Sequence, residues 1–127
     1  MNNLYIKKKP DEPYFPEVSF NAETGICEII GESFMEEPTK FYYPIVDWVK
    51  NFTDEVKKPF QLNINLLYFN TSTSKMILQM LSLLKEYKDS GGEVEVNWYY
   101  DPDDQDMKDE IEDYVIESGL EINKKSM

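Results

Sequence analysis

The chain has 127 residues, enough for one domain with a core of its own, and 41% of them are apolar. Its 25 acidic residues outnumber 13 basic ones, and a formal net charge of −12 argues against nucleic acid and anionic membrane surfaces as partners. There is no histidine and a single cysteine, Cys27, so the commonest general base and the ligand sets of zinc and iron–sulfur centres are missing.

No apolar run approaches the roughly 20 residues of a bilayer span, and the N-terminus carries Lys7-Lys8-Lys9 in place of a secretory h-region. A lone thiol in a strand-like run reads as a small core hydrophobe in a reducing compartment. A cytoplasmic protein is expected.

Residues 1–16, with three prolines and mixed charge, read as an irregular arm. Residues 17–122 read as a single domain. Val18 and Phe20 begin an alternation that resumes at Ile26, Ile29 and Ile30, and Asn21 to Gly25 between them has turn composition. This predicts a β-hairpin ending at Gly31. Phe41, Ile45, Trp48, Val49, Phe52 and Val56 then recur at three- and four-residue steps, an amphipathic helix. Pro44 is tolerated only in a first turn, which places the predicted start near Tyr42 or Tyr43 and the end before Pro59.

Phe60, Leu62, Ile64 and Leu66 alternate with Gln61, Asn63 and Asn65, giving a strand with one apolar face. Its end, Leu67-Tyr68-Phe69, is apolar on both faces. A second helix carries Met76, Ile77, Met80, Leu81, Leu84 and Tyr87, and Gly91-Gly92 stops it. Val94 to Tyr100 form a further strand, and Asp101 to Asp104 cap a third helix that ends near Gly119. Leu120 to Ile122 suggest a short edge strand, and residues 123–127 a frayed tail. Strand–helix–strand units of this kind are parallel crossovers. Polar alternates leave one sheet face bare, so the expected fold is an α/β (α+β) two-layer sandwich, a mixed sheet with helices on one face.

Little in the chain carries catalytic or ligand chemistry. Carboxylates on so acidic a surface are read as solvated. Asp101-Pro102-Asp103-Asp104-Gln105-Asp106 resembles a calcium loop, but Asp106 stands where the sharp turn needs glycine, and helix capping accounts for the acids. No cofactor and no metal site is expected. The distinctive stretch is Leu66 to Lys75, where a strand runs into Asn70-Thr71-Ser72-Thr73-Ser74 and directly into a helix. One such residue suffices as an N-cap. The surplus hydroxyls stand where a helix dipole favours added negative charge, so a generous cap and a phosphorylation switch are both open readings. Lys75 opposes the dipole unless an anion visits nearby. A parallel crossover would also bring Tyr68 and Phe69 near Trp98, Tyr99 and Tyr100, beside Thr71, as a docking surface.

Five separated segments in order then point to a family. They are Val18-Ser19-Phe20 with Gly25-Ile26-Cys27-Glu28-Ile29, Gly31-Glu32-Ser33-Phe34, Ile45-Val46-Asp47-Trp48, Leu67-Tyr68-Phe69-Asn70-Thr71-Ser72, and Gly91-Gly92 leading to Val96-Asn97-Trp98-Tyr99-Tyr100-Asp101. Over residues 17–120 the chain resembles the SiaC family of bacterial regulatory phosphoproteins. The resemblance implies a STAS-like fold and a non-enzymatic partner switch. It implies a Ser/Thr protein kinase that phosphorylates the threonine matching Thr71 and a PP2C-type phosphatase that removes the phosphate. The unmodified form would bind and activate a diguanylate cyclase, raising cyclic di-GMP. Asn70, Ser72, Thr73, Ser74 and Lys75 make up the switch loop, and Tyr68, Phe69 and Tyr99 are partner-contact candidates. Two other readings stand beside it: an anti-sigma-factor antagonist in a transcriptional switch, and a carboxylate-dependent enzyme or calcium-binding domain.

Overall fold

The computed structural model describes all 127 residues. Six strands and three helices follow the order β1 (Leu4–Ile6), β2 (Glu17–Phe20), β3 (Ile26–Ser33), α1 (Pro38–Asn51), β4 (Phe60–Phe69), α2 (Thr71–Asp89), β5 (Val94–Tyr100), α3 (Gln105–Ser118) and β6 (Asn123–Ser126). A π-helical turn, Phe52–Val56, extends α1 and ends where Lys57 adopts a left-handed conformation (φ 56°).

The strands lie in sequence order in one sheet. β1, β2 and β3 are antiparallel, whereas β3, β4, β5 and β6 run parallel. Each parallel step is a crossover through one helix, and all steps advance in the same direction. Right-handed connections of this kind put every helix on the same side of the sheet. α1 packs on α2 and α2 on α3, and one continuous core of 27 buried residues lies between that helical layer and the sheet. The two-layer α/β architecture read from the alternation is the one observed.

The other face of the sheet has no cover. Asn63, Asn97 and Asn123 form an amide ladder across it, with Asn97 Nδ2 donating to Asn63 Oδ1 at 2.9 Å and Asn123 Nδ2 to Asn97 Oδ1 at 3.0 Å. These bonds satisfy polar groups that the pleat directs away from the core.

Four expectations need correction. The arm is not wholly irregular: Leu4–Ile6 pairs with β2, Trp48 Nε1 donates to the Asn2 carbonyl at 2.8 Å, and Ala22 N donates to Asn3 Oδ1 at 2.8 Å. The tail does not fray, because Asn123–Ser126, and not Leu120–Ile122, supplies the edge strand beside β5. Leu120 and Ile122 are buried in the core instead. α1 starts at Pro38, not near Tyr42, so Pro44 lies inside it. Proline at the first helical position loses an N–H that has no partner there, which makes Pro38 the natural start. Pro44 withholds a bond from the Lys40 carbonyl, but both residues are exposed and water can serve that oxygen. Finally, β3 continues past Gly31 to Ser33.

That extension contains a bulge. Gly31 pairs with Leu66 and Glu32 with Tyr68, leaving Leu67 as an extra residue in β4. A bulge re-aims the side chains after it. Leu66 points into the core, Leu67 and Tyr68 both point to solvent, and Phe69 turns back inward.

Gly25 holds the start of β4. Its carbonyl accepts from Gln61 N at 2.8 Å, its φ is +74°, and an added Cβ would lie 2.0 Å from the Pro59 carbonyl oxygen. Gly25→Ala therefore combines a strained backbone with a backbone clash, and should destabilise the fold by about 2 kcal/mol or more, read as a lowered urea midpoint.

Candidate functional site

The β4–α2 junction is built around Asn70. Its extended backbone (φ −92°, ψ 173°) ends the strand, and its Oδ1 accepts from Thr73 N at 2.9 Å, an N-cap bond. Its Nδ2 donates to the Met35 carbonyl at 3.1 Å and its backbone N to the Ser33 carbonyl at 3.2 Å. One side chain thus caps α2 and ties it to the β3–α1 loop.

The four hydroxyls that follow have different surroundings. Thr73 is fully buried, its Oγ1 lies 2.9 Å from Ser33 Oγ, and Tyr42 OH donates to that same Ser33 oxygen at 2.8 Å. Burial pushes the Tyr42 hydroxyl up from 10.0 to about 12, while the bond to Ser33 pulls the other way. Ser74 Oγ is hydrogen-bonded to Tyr114 OH, whose own pKa burial also raises. Thr71 and Ser72, the first two residues of α2, are exposed. A helical period of 3.6 residues explains the division: Thr73 stacks one turn before the buried Ile77, and Thr71 and Ser72 fall on the outer side.

Lys75 is exposed and, with Ser72, lines a cleft of about 760 Å³ between the starts of α1 and α2. Glu36, Glu37, Lys40 and Tyr43 stand on the opposite wall. The N–H groups opening a helix lack intrahelical partners, and Asn70 serves only that of Thr73. A negative charge esterified to Thr71 or Ser72 would meet these donors, the helix dipole and Lys75 together.

The aromatic candidates separate. Phe69 packs inward, with ring centroids 5.8 Å from Trp98 and 6.3 Å from Tyr114, so it belongs to the core and not to an exposed contact surface. Tyr99 borders Asn63 and Asn65 on the bare sheet face, apart from Tyr68. Tyr68 is exposed and meets Phe34 at 5.7 Å, and Phe34 meets Tyr14 at 5.9 Å. Sequence reading missed Phe34 and Tyr14 because they arrive from separate segments. It also missed the buried Ser33–Tyr42–Thr73 group, since no local pattern marks a hydroxyl for burial. Of the acidic loop, Asp104 Oδ1 accepts from Met107 N at 3.0 Å, the N-cap bond of α3, and Asp101 Oδ1 accepts from Asp103 N at 2.9 Å, an Asx turn ahead of it.

The site is thus a two-layer α/β module that leaves two helix-opening hydroxyls, Thr71 and Ser72, open to solvent above an otherwise hydrogen-bonded junction. The chain belongs to the SiaC family: the description "SiaC family regulatory phosphoprotein" matches residues 7–127. An uncharacterised protein of Pseudomonas aeruginosa is 31% identical over 101 residues, covering 80% of this chain and 78% of that protein. Apo-SiaC from Pseudomonas aeruginosa superposes with a TM-score of 0.89 at 25% identity, over 98% of this chain and 99% of that one. SiaC solved in complex with the diguanylate cyclase SiaD, which it activates, gives 0.89 at 24% identity over 98% and 99% of the two chains.

The hydroxyls should be separable by stability. Thr73→Val leaves the Ser33 hydroxyl and the Ser33 carbonyl each a bond short in the core and should cost about 1–3 kcal/mol in urea denaturation. Thr71→Ala and Ser72→Ala should fall within about 0.5 kcal/mol of wild type. Tyr42 holds its proton more tightly folded than unfolded, so its contribution to stability is intact below pH 10 and is lost as the pH rises from 10.0 to about 12. Urea midpoints on either side of that window should show the fall, and Tyr42→Phe should reduce it.

Proposed function

We propose that this chain is a non-enzymatic, cytoplasmic switch protein whose Thr71 hydroxyl is phosphorylated by a Ser/Thr protein kinase and released by a PP2C-type phosphatase. In the unmodified state it binds and activates a diguanylate cyclase. The observation that carries the reading is the sorting of four neighbouring hydroxyls, of which only Thr71 and Ser72 are exposed to a transferase. Thr71 is preferred because it occupies the family's motif position after Asn70. Family membership and the cyclase complex of the fold relative support the choice of client.

The physics of the switch follows from the position. Phosphate at the first turn of α2 adds nearly two negative charges where the helix dipole and Lys75 welcome them, so the fold survives. Beneath a bound partner the same dianion would have to shed its water, and burying an ion costs far more than a solvent-exposed ion pair returns. The modification therefore turns an interaction off without unfolding anything.

Radiolabelling by the cognate kinase should reach about one phosphate per chain in wild type and Ser72→Ala, and fall to background in Thr71→Ala. In a cyclase assay, Thr71→Asp should lower activation about tenfold or more relative to Thr71→Ala. Full labelling of Thr71→Ala would move the switch to another residue, and equal activation by both variants would refute the mechanism.

A further inference from the structure

The uncovered face of the sheet ends in an aromatic ridge made by three distant segments. Tyr14 comes from the arm, Phe34 from the end of β3 and Tyr68 from the bulged end of β4, with consecutive centroids 5.9 and 5.7 Å apart. Their exposures, 52%, 47% and 53%, are high for rings already in contact with one another, and Leu67 beside them is 57% exposed. Scattered surface apolars are ordinary, but a contiguous group assembled from three segments marks an interaction surface.

The ridge is held in place. Phe34 N donates to the Tyr14 carbonyl at 3.0 Å, and Lys8 Nζ donates to the Pro13 and Phe15 carbonyls at 2.6 and 2.9 Å, closing the arm's turn. The bulge at Leu67 is what brings Tyr68 out. A rigid aromatic surface loses little freedom on docking.

Charge says what fits it. The segments that supply the ridge, residues 11–17, 32–37 and 65–71, contain six carboxylates (Asp11, Glu12, Glu17, Glu32, Glu36, Glu37) and no lysine or arginine, and Lys8, which folds against them, offsets only one of these charges. A second copy of this chain would bring the same acids against them, which like-charge repulsion opposes.

We infer that the Tyr14–Phe34–Tyr68 ridge is the docking surface for the cyclase, and that the cyclase meets it with apolar side chains flanked by lysine or arginine. This inference rests on the cyclase reading above and adds the place and the chemistry of contact. Tyr68 precedes Thr71 by three residues, so their backbones lie no more than about 11 Å apart, within the footprint of a partner that covers the ridge. A phosphate there would attract the partner's cations from a distance, but salt screens that attraction, whereas the loss of hydration on contact is not screened.

The test measures binding of the full-length chain to purified diguanylate cyclase from the same organism, by titration calorimetry at low and high salt. Tyr14, Phe34 and Tyr68 are each replaced by serine, and Ile116→Ser, at a position 79% exposed on α3, serves as the control. Each ridge variant should weaken binding about tenfold while retaining wild-type circular dichroism and melting, the control should bind normally, and added salt should weaken the wild-type complex. Wild-type binding that the ridge variants do not disturb would overturn the inference and leave the switch standing. Binding that salt strengthens would overturn the cationic partner. Failure of the wild-type chain to bind the cyclase would overturn the function itself, and self-association lost in Phe34→Ser would assign the ridge to a second copy.

Discussion

The arrangement depends on three hydroxyls that meet in the core. Tyr42 from α1, Ser33 from the end of β3 and Thr73 from α2 share their hydrogen bonds in a place no water reaches. A buried polar group left unpaired is costly, so the three must arrive together or not at all. That condition fixes where β3 ends, how α1 lies and in which rotation α2 begins. Asn70 adds a second tie from the same junction to the Met35 carbonyl. With Thr73 facing inward, the helical period turns Thr71 and Ser72 outward.

The strand order has an equally direct consequence. Because β3 to β6 advance one way across the sheet, every crossover helix falls on one face and the other stays open. The bulge at Leu67 then decides what is displayed, directing Tyr68 to solvent while Phe69 returns to Trp98 and Tyr114. One extra residue in one strand divides two adjacent aromatics between the core and the surface.

Much of the fold was legible because it rests on local periodicity. The alternation of Phe60, Leu62, Ile64 and Leu66 with Gln61, Asn63 and Asn65 marked the central strand and announced its bare face. The Asp101–Asp104 cap was equally plain, whereas the choice of Asn70 over Thr71 or Ser72 as the cap of α2 came only with the structure. The errors lay where local and tertiary forces disagree. Pro44 argued for a late helix start, yet Pro38 offers a better first position and the exposed side of α1 absorbs the interruption. Leu4-Tyr5-Ile6 is strand-like but only three residues long, and the tail Asn123–Ser126 is polar throughout; sheet edges accept any backbone with free N–H and C=O groups, so both were recruited by neighbours they could not reveal.

The chain order of residues by itself determined the element types, the single core, the acidic character and the hydroxyl-rich opening of α2, since each follows from spacing, capping chemistry or charge count. Which hydroxyl is exposed and which aromatics gather beside it was decided only by tertiary structure. Both outcomes depend on contacts between residues as far apart as Ser33 and Thr73, or Phe34 and Tyr68, and no periodicity within a segment encodes a hydrogen bond or a ring contact across that separation.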